Sequence, residues 1–260
     1  GDFRVPKTYR DIPLQDQKRL LNAGQSFTLR LKISPGKTLF KDHIYGAITV
    51  NNKEIDDFII ARSDGTPTYN FTVAVDDYAM GISHVIRGED HISNTPKQLL
   101  IYKALGYPAP EFAHLPMILG PDKKRLSKRH GATGIQEFRD AGYSADALLN
   151  YLVMLGWNPG TEQELFTREE MVTHFDIRKV QKKGAVYDEK KLHWIAGQHL
   201  ARVSEDEILQ SIRSEEPNWQ RHAKDEYIHN ILKLMKIRTK TFNELKDMTG
   251  YFFSDPVTFD

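Results

Sequence analysis

One pattern constrains this chain more than any other: an apolar run over residues 69–76, a helical stretch over residues 95–105 and a second apolar run over residues 112–119. Two buried strands flanking a helix of that length predict one parallel βαβ unit, hence an α/β core. The helix carries its own punctuation, with Pro96 in the first turn and Gly106 as its stop. Ahead of it, residues 26–61 alternate. Phe27, Leu29, Leu31 and Ile33 fall on one face, apolar segments come next at 44, 47–50 and 58–60, and Ser34-Pro35-Gly36 and Asn51-Asn52 supply turns. A small antiparallel β region is expected there. Behind Gly134 the spacing becomes helical, over residues 144–155, 167–175, 188–200, 204–212 and 225–237. The second of these opens on a Thr-x-x-Glu capping box, and the last carries Ile228, Ile231, Leu232, Leu234 and Met235 as its apolar stripe.

Composition removes several classes. At 40% hydrophobic and 27% charged residues the chain is too apolar to be disordered, and no apolar run approaches the ~20 residues a membrane span needs. The absence of Cys excludes disulfides, thiolate metal sites and a cysteine nucleophile. Gly1-Asp2-Phe3-Arg4 is neither an initiator Met nor a secretory start, so a fragment is expected, and the end at Phe259-Asp260 reads as a cut as easily as a terminus. Thirty-six Lys and Arg against thirty-five Asp and Glu leave a net charge of +1, which does not argue against an RNA partner because local fields matter more than the sum.

Charge concentrates in one place. Residues 120–131 hold Lys123, Lys124, Arg125, Lys128 and Arg129 against a single Asp122, between glycines and after a strand-like run. A mobile cationic loop can close over a polyphosphate and stabilise charge growing on a leaving pyrophosphate, where one good donor is worth about 3–4 kcal/mol. The order is not that of a P-loop, and a solvated basic loop or a sequence-blind phosphate contact fits the charge equally well. A second concentration is Arg87-Gly88-Glu89-Asp90-His91, where an Arg ends an apolar run and two carboxylates come directly after it. Such a strand end is where α/β proteins place ligands. Arg87 can fork onto a substrate carboxylate, and the acidic pair can position ribose hydroxyls or an amine; the plainer alternative is an Arg–Asp pair pinning the loop. His84 and His91 stand seven apart without Cys companions, so no zinc site is expected.

Taken together the residues resemble a family. Asp64-Gly65-x-Pro67-Thr68-Tyr69-Asn70-Phe71, Val75-Asp76-Asp77, Met80 to His91, Asn94-Thr95-Pro96-Lys97-Gln98, Leu126-Ser127-Lys128-Arg129, Asn150-Tyr151-Leu152, Leu155-Gly156-Trp157 and Asp188-x-x-Lys191-Leu192 are similar, in that order, to bacterial-type glutamyl-tRNA synthetases of class I. The likeness covers nearly the whole chain.

The resemblance implies an ATP-dependent ligase that makes glutamyl-adenylate and passes the glutamyl group to tRNA(Glu). It implies that Arg125, Leu126, Ser127, Lys128 and Arg129 form the ATP-binding loop, with Arg125, Ser127 and Lys128 catalytic and Lys128 meeting the ATP phosphates; Arg125 stands where the family usually has Lys. It implies that Tyr69 and Arg87 bind L-glutamate, and that Asp90 and His91 edge the ATP pocket. The basic set Arg178, Lys179, Lys182, Lys183, Lys190 and Lys191 falls in the implied stem-contact region, with Lys179, Lys182 and Lys183 the tRNA-contact candidates; a plain solvated face accounts for them as well. Mg²⁺ is expected with ATP, without a protein cage for it. A cytoplasmic monomer is the expected state, and charging of tRNA(Gln) stays open. The family's His-Ile-Gly-His signature does not occur, and His43-Ile44-Tyr45-Gly46 is a decoy within the β region. The expected fold is α/β: residues 1–68 an antiparallel β remnant of the acceptor-binding insertion, 69–134 the second half of a Rossmann-type nucleotide-binding domain, 135–200 a stem-contact helical domain and 201–260 the start of a helical anticodon-side domain. The chain by itself is then expected to be inactive, as an RNA-binding piece.

Overall fold

A computed structural model describes residues 7–127 and 134–254. They fall into two compact units, Gly1–Leu115 and Pro116–Asp260.

In the first unit, α1 (Leu14–Asn22) precedes β1 (Leu29–Arg30), β2 (Lys37–Asp42), β3 (Gly46–Asn51) and β4 (Ile59–Ala61). β2 and β3 form an antiparallel hairpin in continuous register from Lys37↔Asn51 to Asp42↔Gly46, and β1 pairs with β4. The alternation at 26–61 therefore gives antiparallel strands, as expected. The adjoining segment departs from expectation. Residues 69–76, expected as a buried strand, lie in helix α2 (Tyr69–Ala79). A short apolar run has no periodicity that separates strand from buried helix, and Thr68, whose carbonyl accepts from the Phe71 and Thr72 amides, turns it helical. Ala74 then packs with Ile101 and Tyr102, flanked by Phe71, Phe58, Leu31 and Tyr107.

The parallel βαβ unit exists with a different first strand. It runs β5 (His84–Gly88), α3 (Thr95–Leu105) and β6 (Glu111–Leu115), in parallel register from His84↔Glu111 to Gly88↔Leu115. Gly106 caps α3 at φ 72, a conformation that favours glycine. The sheet order is β3-β2-β6-β5, and β2 joins β6 through a single register pair, Asp42↔Phe112. The hairpin is thus an extension of the parallel sheet.

The expected second run of 112–119 breaks at Pro116, which has no N–H to give a ladder. Its tail is β7 (Ile118–Leu119) of the second unit. Next come α4 (Ile135–Asp140), α5 (Ala145–Met154), α6 (Arg168–His174), β8 (Ala185–Val186), α7 (Glu189–Arg202), α8 (Glu205–Glu215), α9 (Asp225–Met235) and α10 (Phe242–Thr249). β7 pairs with β8 in parallel. The capping boxes at Thr167/Glu170 and Ser204/Glu207 both form, and Asp188 accepts from the Lys190 and Lys191 amides at the start of α7. One core gathers Phe138, Leu148, Tyr151, Tyr187, Leu192 and Ile195. Another gathers Leu200, Ile208, Leu209, Ile212, Ile228, Ile231, Leu232, Met235 and Leu245. Leu234, expected in the α9 stripe, is half exposed at 51%, because a 100° step per residue turns it off the face shared by 228, 231, 232 and 235.

Candidate functional site

Arg87 is the penultimate residue of β5, at the carboxyl end of the parallel strand. The strand hands over at Gly88 to a single 3-10 turn, Glu89–His91. A Cβ at Gly88 would lie 2.6 Å from an Asp90 carboxylate oxygen, so a larger residue there would displace the Asp90 side chain. The half-buried guanidinium of Arg87 donates from Nη2 to Thr95 Oγ1 (2.9 Å), Gln98 Oε1 (2.9 Å) and the His91 carbonyl (3.4 Å). Its Nε donates to His114 Nε2 at 3.3 Å, and the Phe112 ring lies 5.9 Å below. All these partners are neutral. Among the described residues no carboxylate pairs with Arg87; Asp77 acts on it only as a more distant charge. Burial pulls the Arg87 pKa down, against the pull of the Tyr69 hydroxyl and Asp77.

The Arg is held from behind by a buried relay. His114 and Asp42 are 0% and 1% exposed, and His114 Nδ1 lies 2.7 Å from Asp42 Oδ2. A carboxylate there can only accept, so Nδ1 carries the proton and Nε2 is left as the acceptor facing Arg87. Burial lowers the His114 pKa, and the Asp42 hydrogen bond, acting the other way, does not overcome it. Asp42 Oδ1 accepts from the Ile44 amide (2.9 Å), the Tyr45 amide (2.8 Å) and the His114 amide (3.4 Å). Burial pushes the Asp42 pKa up, yet these hydrogen bonds prevail and hold it below its ordinary value. The Gln98 amide donates onward to Asn70 Oδ1 at 3.2 Å.

Around this centre, Tyr69 opens α2 with 51% exposure and its hydroxyl 3.5 Å from His91 Nδ1, which the Asn94 amide also approaches at 3.3 Å. The structure therefore brings Tyr69, Arg87 and His91 together, while Asp90 stands exposed on the same turn. Glu89 accepts from the Tyr45 hydroxyl. Burial of the Tyr102 hydroxyl beside Asp77 pushes it up to about 12. Such an arrangement holds a guanidinium in fixed orientation among neutral partners, the Tyr69 hydroxyl included, a charge chemically suited to a carboxylate.

The basic segment belongs to the second unit. After β7, residues 120–126 make a tight turn closed by Gly120 N–H to the Lys124 carbonyl (2.7 Å), Lys123 N–H to Gly120 (2.9 Å) and Leu126 N–H to Ile118 (2.9 Å). Arg125 bridges Leu119, and Leu126 packs against the Phe138–Tyr187 core. Arg125 is exposed and Ser127 half-buried. Lys128 and Arg129 lie outside the described residues. Lys179, Lys182 and Lys183 are exposed on the segment that enters β8, the strand paired with β7. Gly184 lets the two strands close, since a Cβ there would meet Leu119 Cδ1 and the Met117 carbonyl at 2.9 Å. Within this set Arg178 is taken by Asp176, two bonds of 2.9 Å holding the carboxyl down to about 2, and Lys191 by Glu164 at 2.7 Å. A cavity of about 190 Å³ elsewhere in the unit, lined by Arg139, Tyr143, Glu215 and Lys246, holds none of the candidate residues.

Sequence reasoning misses Asp42 and His114, which no local signal connects. Thr95 and Gln98 stand within one of the family-like motifs, without a role until Arg87 is seen to donate to both.

The chain is similar to known proteins along nearly its whole length. Residues 3–194 match the family model "tRNA synthetases class I (E and Q), catalytic domain", and residues 198–260 match "Anticodon binding domain". The chain is 42% identical over 262 residues to glutamate–tRNA ligase 1 of Syntrophomonas wolfei, covering 100% of this chain and 53% of that protein. It is 46% identical over 236 residues to the glutamate–tRNA ligase of Aquifex aeolicus, covering 89% and 50%. A solved glutamate–tRNA ligase from Elizabethkingia meningosepticum, in complex with its amino acid, superposes with a TM-score of 0.84 at 33% identity, over 97% of this chain and 54% of that one. The chain spans about half the length of the curated relatives it matches.

Proposed function

Because the chain belongs to the family of class I tRNA synthetase (E and Q) catalytic domains, we propose that it serves glutamate–tRNA ligation, activating L-glutamate with ATP and transferring the glutamyl group to tRNA(Glu). One observation carries the reading: Arg87 is a half-buried cation whose direct partners are all neutral. A desolvated charge without a counter-charge is expensive, and a substrate carboxylate is the group that relieves it. Glutamate docks one carboxylate on Arg87 with Tyr69 beside it. Its α-carboxylate oxygen attacks the α-phosphorus of ATP, the bond to the β-phosphate oxygen breaks, and pyrophosphate leaves with the electron pair. A hydroxyl of the terminal ribose of tRNA then attacks the glutamyl carbonyl and AMP departs.

In this reading Asp90 and His91 edge the nucleotide, and Arg125, Leu126, Ser127, Lys128 and Arg129 meet its phosphates, with Arg125, Ser127 and Lys128 countering the charge that grows on pyrophosphate. Lys179, Lys182 and Lys183 contact tRNA phosphates. Among the described residues no set of carboxylates forms a cage for Mg²⁺, and the one His/Glu cluster offers nitrogen donors that suit softer ions. Mg²⁺ would arrive on the nucleotide, whose phosphate oxygens and retained waters supply most of its ligands. A second reading, a tRNA-binding chain without ligase activity, draws on the anticodon-domain match over 198–260 and the exposed lysines.

The test is glutamate-dependent ATP–pyrophosphate exchange with tRNA(Glu) present, on a protein of its relatives' full length that carries this sequence and on this chain alone, alongside tRNA binding. Exchange that drops about 100-fold in Arg87→Gln, in line with a desolvated charge contact of about 2–5 kcal/mol, supports ligation. Binding of tRNA without exchange favours the second reading, and neither signal would overturn both.

A further inference from the structure

Three side chains that the ligation reading does not use converge at the other end of the sheet from Arg87. His43 stands on the β2–β3 turn, His84 is the first residue of β5 and Glu111 the first of β6. His43 Nε2 is 2.6 Å from Glu111 Oε2, and His84 Nε2 is 3.8 Å from the same oxygen. The two imidazoles stack with centroids 5.9 Å apart, and the donor atoms of all three residues lie within 4.8 Å of one another. We propose that His43, His84 and Glu111 form a binding site for a divalent late transition cation, with zinc as the representative ion, that clips the β2–β3 hairpin to the parallel sheet.

A hydrogen bond between His43 and Glu111 accounts for two of the residues but not the third. At 3.8 Å, His84 Nε2 is beyond hydrogen-bonding distance of the carboxylate it faces. Two imidazole nitrogens within 3.8 Å of one carboxylate oxygen are near the separations that the donors of a single cation adopt, once the His43–Glu111 hydrogen bond gives way. Tetrahedral zinc at about 2.0–2.1 Å from each donor sets its donors about 3.3 Å apart, so His43 must open from Glu111 by about 0.7 Å, His84 close on it by about 0.5 Å, and the two imidazole nitrogens draw in from a separation of up to 4.8 Å. The outer contacts favour this. Ser83 Oγ lies 3.0 Å from His84 Nδ1, and a metal-bound imidazole holds its remaining ring N–H on just such an acceptor, leaving Nε2 free for the ion.

The backbones are anchored as well. The His43 amide donates to the Phe112 carbonyl and the Glu111 amide to the Ser83 carbonyl, both at 2.9 Å, and His84 and Glu111 are register partners. Two nitrogens and one oxygen select zinc, cobalt or nickel over magnesium or calcium. Partial exposure of all three residues leaves the fourth position to water. Since a single register pair joins β2 to β6, an ion bonded to all three residues would add a strong cross-link where the sheet is weakest. The seven-residue spacing of His84 and His91 gives no zinc pattern because the companions of His84 come from residues 43 and 111.

The test uses this chain, free of any histidine tag and stripped with a chelator, titrated calorimetrically with zinc. The proposal expects one zinc per chain at micromolar concentration. Affinity should fall at least ~10-fold in each of His43→Ala, His84→Ala and Glu111→Gln, since even outer contacts of metal ligands are worth 10- to 100-fold. Zinc should raise the Tm of the unaltered chain and leave the Tm of the three variants unchanged. Absence of saturable binding, or binding that survives any one of the three substitutions, overturns it. Should a variant fail to fold, cobalt titration of the unaltered chain decides: intense visible bands of tetrahedral cobalt support the site, and a weak octahedral spectrum overturns it.

Discussion

The centre of the first unit and the centre of the last four helices are built on opposite principles. Around β6 the interior contains Asp42, His114, Thr95 and Gln98, all 2% exposed or less, beside a half-buried Arg87. Around α9 the interior is Leu200, Ile208, Leu209, Ile212, Ile228, Ile231, Leu232, Met235 and Leu245. Burying each of those apolar side chains is worth about 1.5–3 kcal/mol, whereas each polar group in the first unit only recovers what its desolvation cost. Stability in the helical region comes from area; in the sheet, where Ala74, Ile101, Tyr102, Phe112 and Ala113 supply apolar burial, part of it is given up to orient one guanidinium. The site is where the fold is least free to be apolar.

The comparison can be pressed from both sides. Leu232→Ala should remove about 2–5 kcal/mol from the unfolding free energy of the helical region, by lost transfer and a residual cavity, and leave the glutamate binding proposed for Arg87 unchanged. Denaturant titration followed by far-UV circular dichroism, with glutamate binding measured beside it, reads both; a loss of glutamate affinity would mean the two centres are not independent. Asp42→Asn should cost about 1–3 kcal/mol, because an amide cannot match the carboxylate as acceptor for the Ile44, Tyr45 and His114 groups, and should also weaken glutamate binding. Unchanged binding in that variant would sever the relay from the site.

The relay also carries a pH signature. Burial lowers His114 and, in the second unit, His199 below the ordinary 6.5. The unfolded chain takes up those protons first, so stability is full above 6.5 and falls as pH drops toward the folded values. Asp42, held below 3.8, contributes stability that is present above 3.8 and lost as acid carries it through its folded pKa. Denaturant midpoints measured from pH 7.5 to pH 3 check both, and a midpoint that rises on acidification below 6.5 would contradict the histidine assignment. Smallest is Ser204→Ala at the start of α8, where loss of the bond to the Glu207 amide should cost about 1 kcal/mol in the same denaturant assay.

The same contrast decides how much of the molecule is legible along the chain. The helical region is legible because its signals are local: apolar residues three and four apart, Thr167 with Glu170, and Ser204 with Glu207. The run at 69–76 misleads because Phe71, Val73, Ala74 and Val75 are too few and too uniformly apolar to show a period, and its packing on α3 decides the matter. Arg87 is legible as a strand-end cation. Its support is not, since Asp42 and His114 are ordinary residues in sequence and meet only when the hairpin is laid against β6. The His43, His84 and Glu111 cluster is hidden for the same reason.

Asp42 and His114 are 72 residues apart, and the Asp42 carboxylate accepts both from its own turn and from His114. Bonds to the Ile44 and Tyr45 amides can form as soon as the hairpin turns, but those to His114 wait for a long loop to close, and closure entropy comes before any reward. Helices α8 and α9 pack on each other across a short connection and need no such wait, whereas α10 is tied back to Asp140 and Gly142 through Asn243 and Phe242. Assembly of this chain therefore has an order: α8 and α9 pair early, and the pocket that orients Arg87 is completed late, on the docking of a hairpin made long before the strand that receives it.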